Sequence, residues 1–113
     1  MPIFQTEINK LNIDDRFKIK IRHDIDYILA ANIPGLIMII LYGSCARETT
    51  HHKSDVDLLL VINGELPEMI VRGKIYCDMD DYLDGVRTDV VFATNNSYET
   101  NTSLFAKQIQ RTK

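Results

Sequence analysis

Positive charge is scarce in this chain of 113 residues: 13 lysines and arginines face 16 aspartates and glutamates, for a formal net charge of −3. A dedicated nucleic-acid binder needs a basic footprint against the phosphates, so nucleic acid is not expected as a direct substrate. Cysteine is scarce too. Cys45 and Cys77 are the two present, and neither belongs to a Cys-x-x-Cys pair, which excludes a disulfide scaffold and reads as two reduced thiols in a cytosolic domain. The longest apolar run, Leu36 to Tyr42, is far too short to span a bilayer. Met1-Pro2-Ile3-Phe4-Gln5 shows no basic stretch leading into an apolar one, so no secretion signal is visible. A soluble, cytoplasmic protein with no membrane partner is expected. Repeats, linkers and low-complexity tracts are missing as well, and residues 1–113 are expected to form a single domain. What is there is an ordinary globular balance, 45% hydrophobic and 26% charged.

From about Asp14 to Asn32, Phe17, Ile21, Ile25, Ile28 and Leu29 recur at helical spacing. Asp14 and Asp15 suit the start of that helix, and Asn32-Ile33-Pro34-Gly35 ends it. Leu36 to Tyr42 reads as a buried strand, Gly43-Ser44 breaks it, and Ala46-Arg47-Glu48 begins a short helical turn. Val56 to Ile62 is a second strand closed by Asn63-Gly64. Between Pro67 and Leu83, Met69, Tyr76, Met79 and Leu83 fit a helical face, interrupted by Gly73 and ended by Gly85. Val86 to Phe92 is expected as a third strand, and Thr102 to Arg111 as a final helix carrying Leu104 and Ile109. That order gives an α+β fold, a small mixed sheet flanked by helices.

The chemistry concentrates between Gly43 and Asp57. Side chains two apart on a strand share a face, so Asp55 and Asp57 project together, roughly 6–7 Å apart at their bases. Two flexible carboxylates at that spacing can converge on divalent cations about 3.5–4 Å apart, and Mg2+ prefers such hard oxygen ligands. Taken alone, Asp55 is equally a turn residue and Asp57 a solvated strand-start charge. Asp89 stands by itself in the hydrophobic stretch Val86-Arg87-Thr88-Asp89-Val90-Val91-Phe92, where a carboxylate must be exposed, paired or metal-bound; it is either an edge-strand charge or a third ligand and general base. Gly43 lets backbone approach a ligand closely, and amides at the start of a helical turn are donors to phosphate oxygens, with the Ser44 hydroxyl as a further one. An ordinary strand-to-helix turn accounts for a lone Gly-Ser equally well. Arg47 is a phosphate fork or a surface charge.

Gly43-Ser44, a spacer of ten residues, Asp55-Val56-Asp57 on a strand and Asp89 on a later one together resemble the DNA polymerase β-like nucleotidyltransferase superfamily. With Ala46-Arg47 in the spacer and Ser54 before Asp55, the pattern is closest to its minimal nucleotidyltransferases, and the resemblance covers nearly the whole chain. It implies metal-dependent nucleotidyl transfer: Asp55, Asp57 and Asp89 hold Mg2+ in a two-metal site, Asp89 helps deprotonate the acceptor, and Gly43, Ser44, Arg47 and Ser54 bind the nucleotide. It further implies AMP transfer from ATP to a tyrosine of a partner HEPN toxin, the chain acting as antitoxin in a hetero-oligomer. A non-catalytic antitoxin that neutralises by binding, or a subunit that modifies a small molecule such as an aminoglycoside, are the alternatives. One departure stands out. Glu48 follows Arg47 where the family commonly has glycine, which reshapes the loop and adds negative charge near the phosphates.

The remaining candidates are weaker. His51-His52 has no further ligand at helical spacing and reads as a solvated loop. His23 reads as surface, and Cys45 lacks the basic partner of a nucleophile. Lys53 and Arg87 lie near the presumed site, as phosphate ligands or as balance for the carboxylates.

Overall fold

The computed structural model describes residues 8–94 and 107–109. Helix α1, Asp15–Ala30, leads into strand β1, Leu36–Tyr42; a five-residue helix α2, Gly43–Arg47, then reverses the chain toward β2, Val56–Ile62. Helix α3, Met69–Met79, connects β2 to β3, Thr88–Thr94, and a short strand β4, Lys107–Ile109, completes a four-stranded sheet in the order β3-β2-β1-β4. β1 runs antiparallel to β2 and β4, whereas β2 and β3 are parallel. A parallel pair cannot close through a tight turn, and α3 supplies the crossover. The result is the mixed α+β sheet expected from the sequence.

The pattern of α1 decides which face of the sheet is dry. Phe17, Ile21, Ile25 and Ile28 are fully buried and form one stripe. They join a core to which β2 gives Val56, Leu58, Leu60 and Ile62, β1 gives Ile39 and Leu41, and β3 gives Phe92. Every one of those β2 positions is even-numbered. Because strand side chains alternate, Asp57 and Asp89 emerge together on the face opposite α1.

Four expectations are corrected. β3 is Thr88–Thr94 rather than Val86–Phe92: Leu83 and Val86 exchange backbone hydrogen bonds of 2.9 Å, with Asp84 at φ 52° and Gly85 at φ 77°. Two positive φ values in a two-residue loop make the primed hairpin turn that favours Asp-Gly. Gly85 therefore builds that turn and does not end α3, which stops at Met79. On α3 itself Ile75 and Met79 are buried, while Met69 is 78% exposed, so the apolar face is rotated from the expected one. Finally, Lys107–Ile109 is a strand paired to Ile39–Leu41 of β1, not part of a helix; the rest of the expected helix, Leu104 included, lies outside the described residues. Without β4 the outer edge of β1 would leave its N–H and C=O groups unpaired by protein.

No helix among the described residues is long and apolar enough to cross a membrane. Gly73 sits inside α3 with nothing within 4 Å of the place a Cβ would take. Gly73→Ala is expected to stabilise the fold by about 0.5–1 kcal/mol, because alanine loses less backbone entropy in a helix. Chemical denaturation of the two proteins checks this.

Candidate active site

Strand β1 ends at Tyr42, which lies directly opposite Asp57 in the β1–β2 register. The next residue, Gly43, takes φ +71°, and a Cβ built there would collide with the Asp57 carboxylate, whose Cγ lies 3.0 Å away. No L side chain fits that position without moving Asp57. The Gly-Ser bend and the Asp-x-Asp strand are thus packed against each other. On the other side of β2, Asp57 and Asp89 are partners in the parallel β2–β3 register. Asp55 precedes β2 by one residue, and Arg87 joins it to Asp89: Nη1 donates to Asp55 at 2.9 Å and Nη2 to Asp89 at 2.6 Å. All three expected carboxylates, and Gly43 with them, lie at the same end of the sheet.

The electrostatics follow from this crowding. Asp57 is raised above the ordinary carboxylate value, first by burial and then by the negative charges of Asp89 and Asp55; Arg47 and Arg87 oppose the shift. Tyr42 is raised by burial, and then by Asp57 and Asp89. Cys45 is buried and its thiol is pushed up to about 12 by burial and the neighbouring aspartates, so it carries no thiolate at neutral pH and is no nucleophile.

Among the described residues, no three potential ligands are already gathered around one point. The donor chemistry nevertheless fits a divalent cation. The carboxylates are hard oxygen donors on one face, burial and then like charge hold Asp57 above its usual value, and a cationic group already bridges two of them. Asp55, Asp57 and Asp89 supply the carboxylate oxygens that suit such a cation.

The other expected residues divide. Arg47 is exposed at the end of α2 and close enough to Asp57 to act on its charge. Ser44 is half-buried, and its carbonyl accepts the Thr49 N–H at 2.9 Å. Ser54 is buried; its hydroxyl accepts the His51 N–H at 2.9 Å and its own N–H donates to the His51 carbonyl at 2.9 Å. Ser54 therefore closes the loop before Asp55. Glu48 adopts the left-handed conformation, φ 59° and ψ 37°, that caps α2, the backbone state in which glycine is cheapest. Its carboxylate accepts the Asn12 N–H at 3.0 Å, drawn toward the segment before α1. His51 and His52 are exposed, with their rings edge-on to each other.

Sequence reasoning missed Tyr42 and Asp80. Tyr42 is adjacent to the Gly-Ser bend, but only the strand register sets it against Asp57. Asp80 lies just beyond α3, where its Oδ1 accepts from Arg87 Nε at 2.8 Å. A separate apolar recess of about 340 Å³ opens between α1 and α3, lined by Tyr27, Ala30, Ala31, Ile33, Val71, Lys74 and Ile75. It contains none of the carboxylates and has no part in the site.

Comparison with known proteins supplies a family. Residues 25–110 match the model of the nucleotidyltransferase domain. No curated protein matches the sequence. Among solved structures, a toxin–antitoxin crystallised with AMP-PNP is 27% identical, with a TM-score of 0.56 over 80% of this chain and 73% of that one. A tyrosine-to-alanine mutant of the toxin–antitoxin MntA-HpeT is 26% identical, with a TM-score of 0.58 over 81% and 73%. A chain described as a nucleotidyltransferase from Sulfolobus solfataricus, 18% identical, shares the fold with a TM-score of 0.56 over 82% and 78%.

Proposed function

Because the chain belongs to the nucleotidyltransferase domain family, we propose that this enzyme transfers AMP from ATP to a tyrosine hydroxyl of a partner HEPN toxin, and so acts as an antitoxin. Nucleotidyl transfer follows from the family; the donor, the acceptor and the partner are the proposal. The observation that carries it is the contact of Gly43 with Asp57, with Asp57 in register with Asp89. That contact supports reading the bend as a phosphate holder beside carboxylates suited to cations. The toxin–antitoxin neighbours, one of them with AMP-PNP, support an ATP-type donor and a protein partner.

In this reading the backbone at Gly43 and Ser44 holds the triphosphate, and the missing side chain at Gly43 lets the Asp57 carboxylate lie against that backbone. Asp55, Asp57 and Asp89 hold Mg2+, which when bound neutralises charge on the phosphates and makes the α-phosphorus more electrophilic. Arg47, exposed at the rim, adds a planar donor fork toward the phosphates. The tyrosine oxygen attacks the α-phosphorus in line, the bond to the α–β bridging oxygen breaks, and pyrophosphate leaves with that electron pair. Asp89 accepts the phenolic proton; one of its oxygens is engaged by Arg87. Catalysis on this account is positioning plus charge neutralisation.

The test is incubation with ATP labelled at the α-phosphate, Mg2+ and the cognate toxin. Label is expected on a toxin tyrosine, with loss of toxin activity. Neutralisation without label would mean that binding alone suffices, and label on a small molecule without any protein acceptor would point to a different substrate class.

A further inference from the structure

Arg87 uses three of its donors on three different carboxylates. Nη1 reaches Asp55 at 2.9 Å, Nη2 reaches Asp89 at 2.6 Å, and Nε reaches Asp80 at 2.8 Å. Two of these are the site's own carboxylates, from either side of the β2–β3 pair. The third lies outside it, exposed in the turn after α3. The backbone of Arg87 is fixed, since its carbonyl accepts the Val56 N–H at 3.0 Å, while its side chain remains 29% exposed. A partly exposed side chain on an anchored backbone can rotate without disturbing the strands.

We propose that Arg87 is the resident counter-cation of this site, bridging Asp55 and Asp89 where a divalent cation must bind and withdrawing onto Asp80 when that cation arrives. The inference rests on the reading of Asp55, Asp57 and Asp89 as the metal-holding set. It gives Arg87 a positioning role: it keeps the like-charged carboxylates together before the metal enters, and it makes metal binding alone weak. Asp80 serves as the acceptor that keeps the displaced guanidinium beside the site. An arginine suits this because its planar fork reaches two carboxylates at once, which a lysine cannot do.

The experiment is a titration with Mn2+ alone, without nucleotide, following free Mn2+ by electron paramagnetic resonance. Native protein, Arg87→Gln, Arg87→Lys and Asp57→Asn are compared, each checked for native circular dichroism. Two partly exposed ion pairs must break in the native protein, so Arg87→Gln is expected to bind Mn2+ about tenfold more tightly. Arg87→Lys keeps the charge but loses the bridge, and is expected to tighten binding about threefold. An unchanged affinity in Arg87→Gln overturns the inference. So does tightening in Arg87→Gln with Arg87→Lys at the native value, because a general field effect, not competition for the bridge, would then be at work. Should Arg87→Gln fail to fold, Arg87→Lys decides alone. If Arg87→Gln and Asp57→Asn bind Mn2+ equally poorly, the metal-site reading falls, and the inference falls with it; a loss of binding confined to Asp57→Asn upholds that reading whatever Arg87 does.

Discussion

Asp57→Asn is expected to lower the transfer of label from ATP by about 10³-fold or more, since it removes a charge that the transition state needs and the ground state does not. The same change is expected to stabilise the metal-free protein. Burial, then Asp89 and Asp55, raise Asp57 in the folded state, so the folded chain holds that proton to higher pH than the unfolded chain does. Between the ordinary carboxylate value and the raised one, the folded state binds more protons, and stability falls as pH rises through that window. Above it the charged carboxylate is a standing cost that asparagine lacks. A melting temperature higher by about 3 °C at neutral pH is expected, a modest figure because the site is partly solvated. The gain should vanish in acid, below the ordinary carboxylate value, where the group is protonated in both states. Loss of activity together with increased stability separates a functional charge from a structural one. Loss of both would make Asp57 a folding residue.

The second large effect concerns stability alone and lies on the far face of the sheet. Lys20 and Asp24 are 1% and 0% exposed and pair at 2.8 Å within α1. Lys20 also donates to the Met79 carbonyl at 3.3 Å, and the Thr88 hydroxyl donates to Asp24. The network thus ties α1 to the end of α3 and the start of β3, one residue before Asp89. Asp24→Ala leaves a buried ammonium without its counter-charge and is expected to cost about 3–5 kcal/mol, measured by denaturant unfolding. The triple change Lys20→Met, Asp24→Leu and Thr88→Val removes all three polar groups together and is expected to recover most of that loss, since a packed apolar set replaces a buried ion pair at little cost. A loss below about 1 kcal/mol in Asp24→Ala would mean that water reaches Lys20.

Both predictions concern features that were unequally legible in the sequence. β1 and β2 were readable to the residue because each is an apolar run closed by Gly43 or Asn63-Gly64. The bend and the Asp-x-Asp pair were readable as separate motifs, each ambiguous alone. What makes them one site is register: Tyr42 opposite Asp57, and Asp57 beside Asp89. Register is set by long-range pairing, and no local pattern encodes it. The buried network has no local signal, because a Lys–Asp pair four residues apart is equally at home on a solvated helix face; only tertiary packing buries Lys20 and Asp24 beside Ile21 and Ile25. β4 was missed because three residues are too few to show a period. The Asp84-Gly85 turn, by contrast, carried a recognisable hairpin signal that was credited to the end of a helix.

The most direct measurement is a crystal structure with Mn2+ and a non-hydrolysable ATP analogue, recorded with anomalous scattering. The account predicts manganese peaks ligated by Asp55, Asp57 and Asp89, with the triphosphate lying along Gly43 and Ser44. Nucleotide bound elsewhere, or manganese ligated without Asp89, would contradict it.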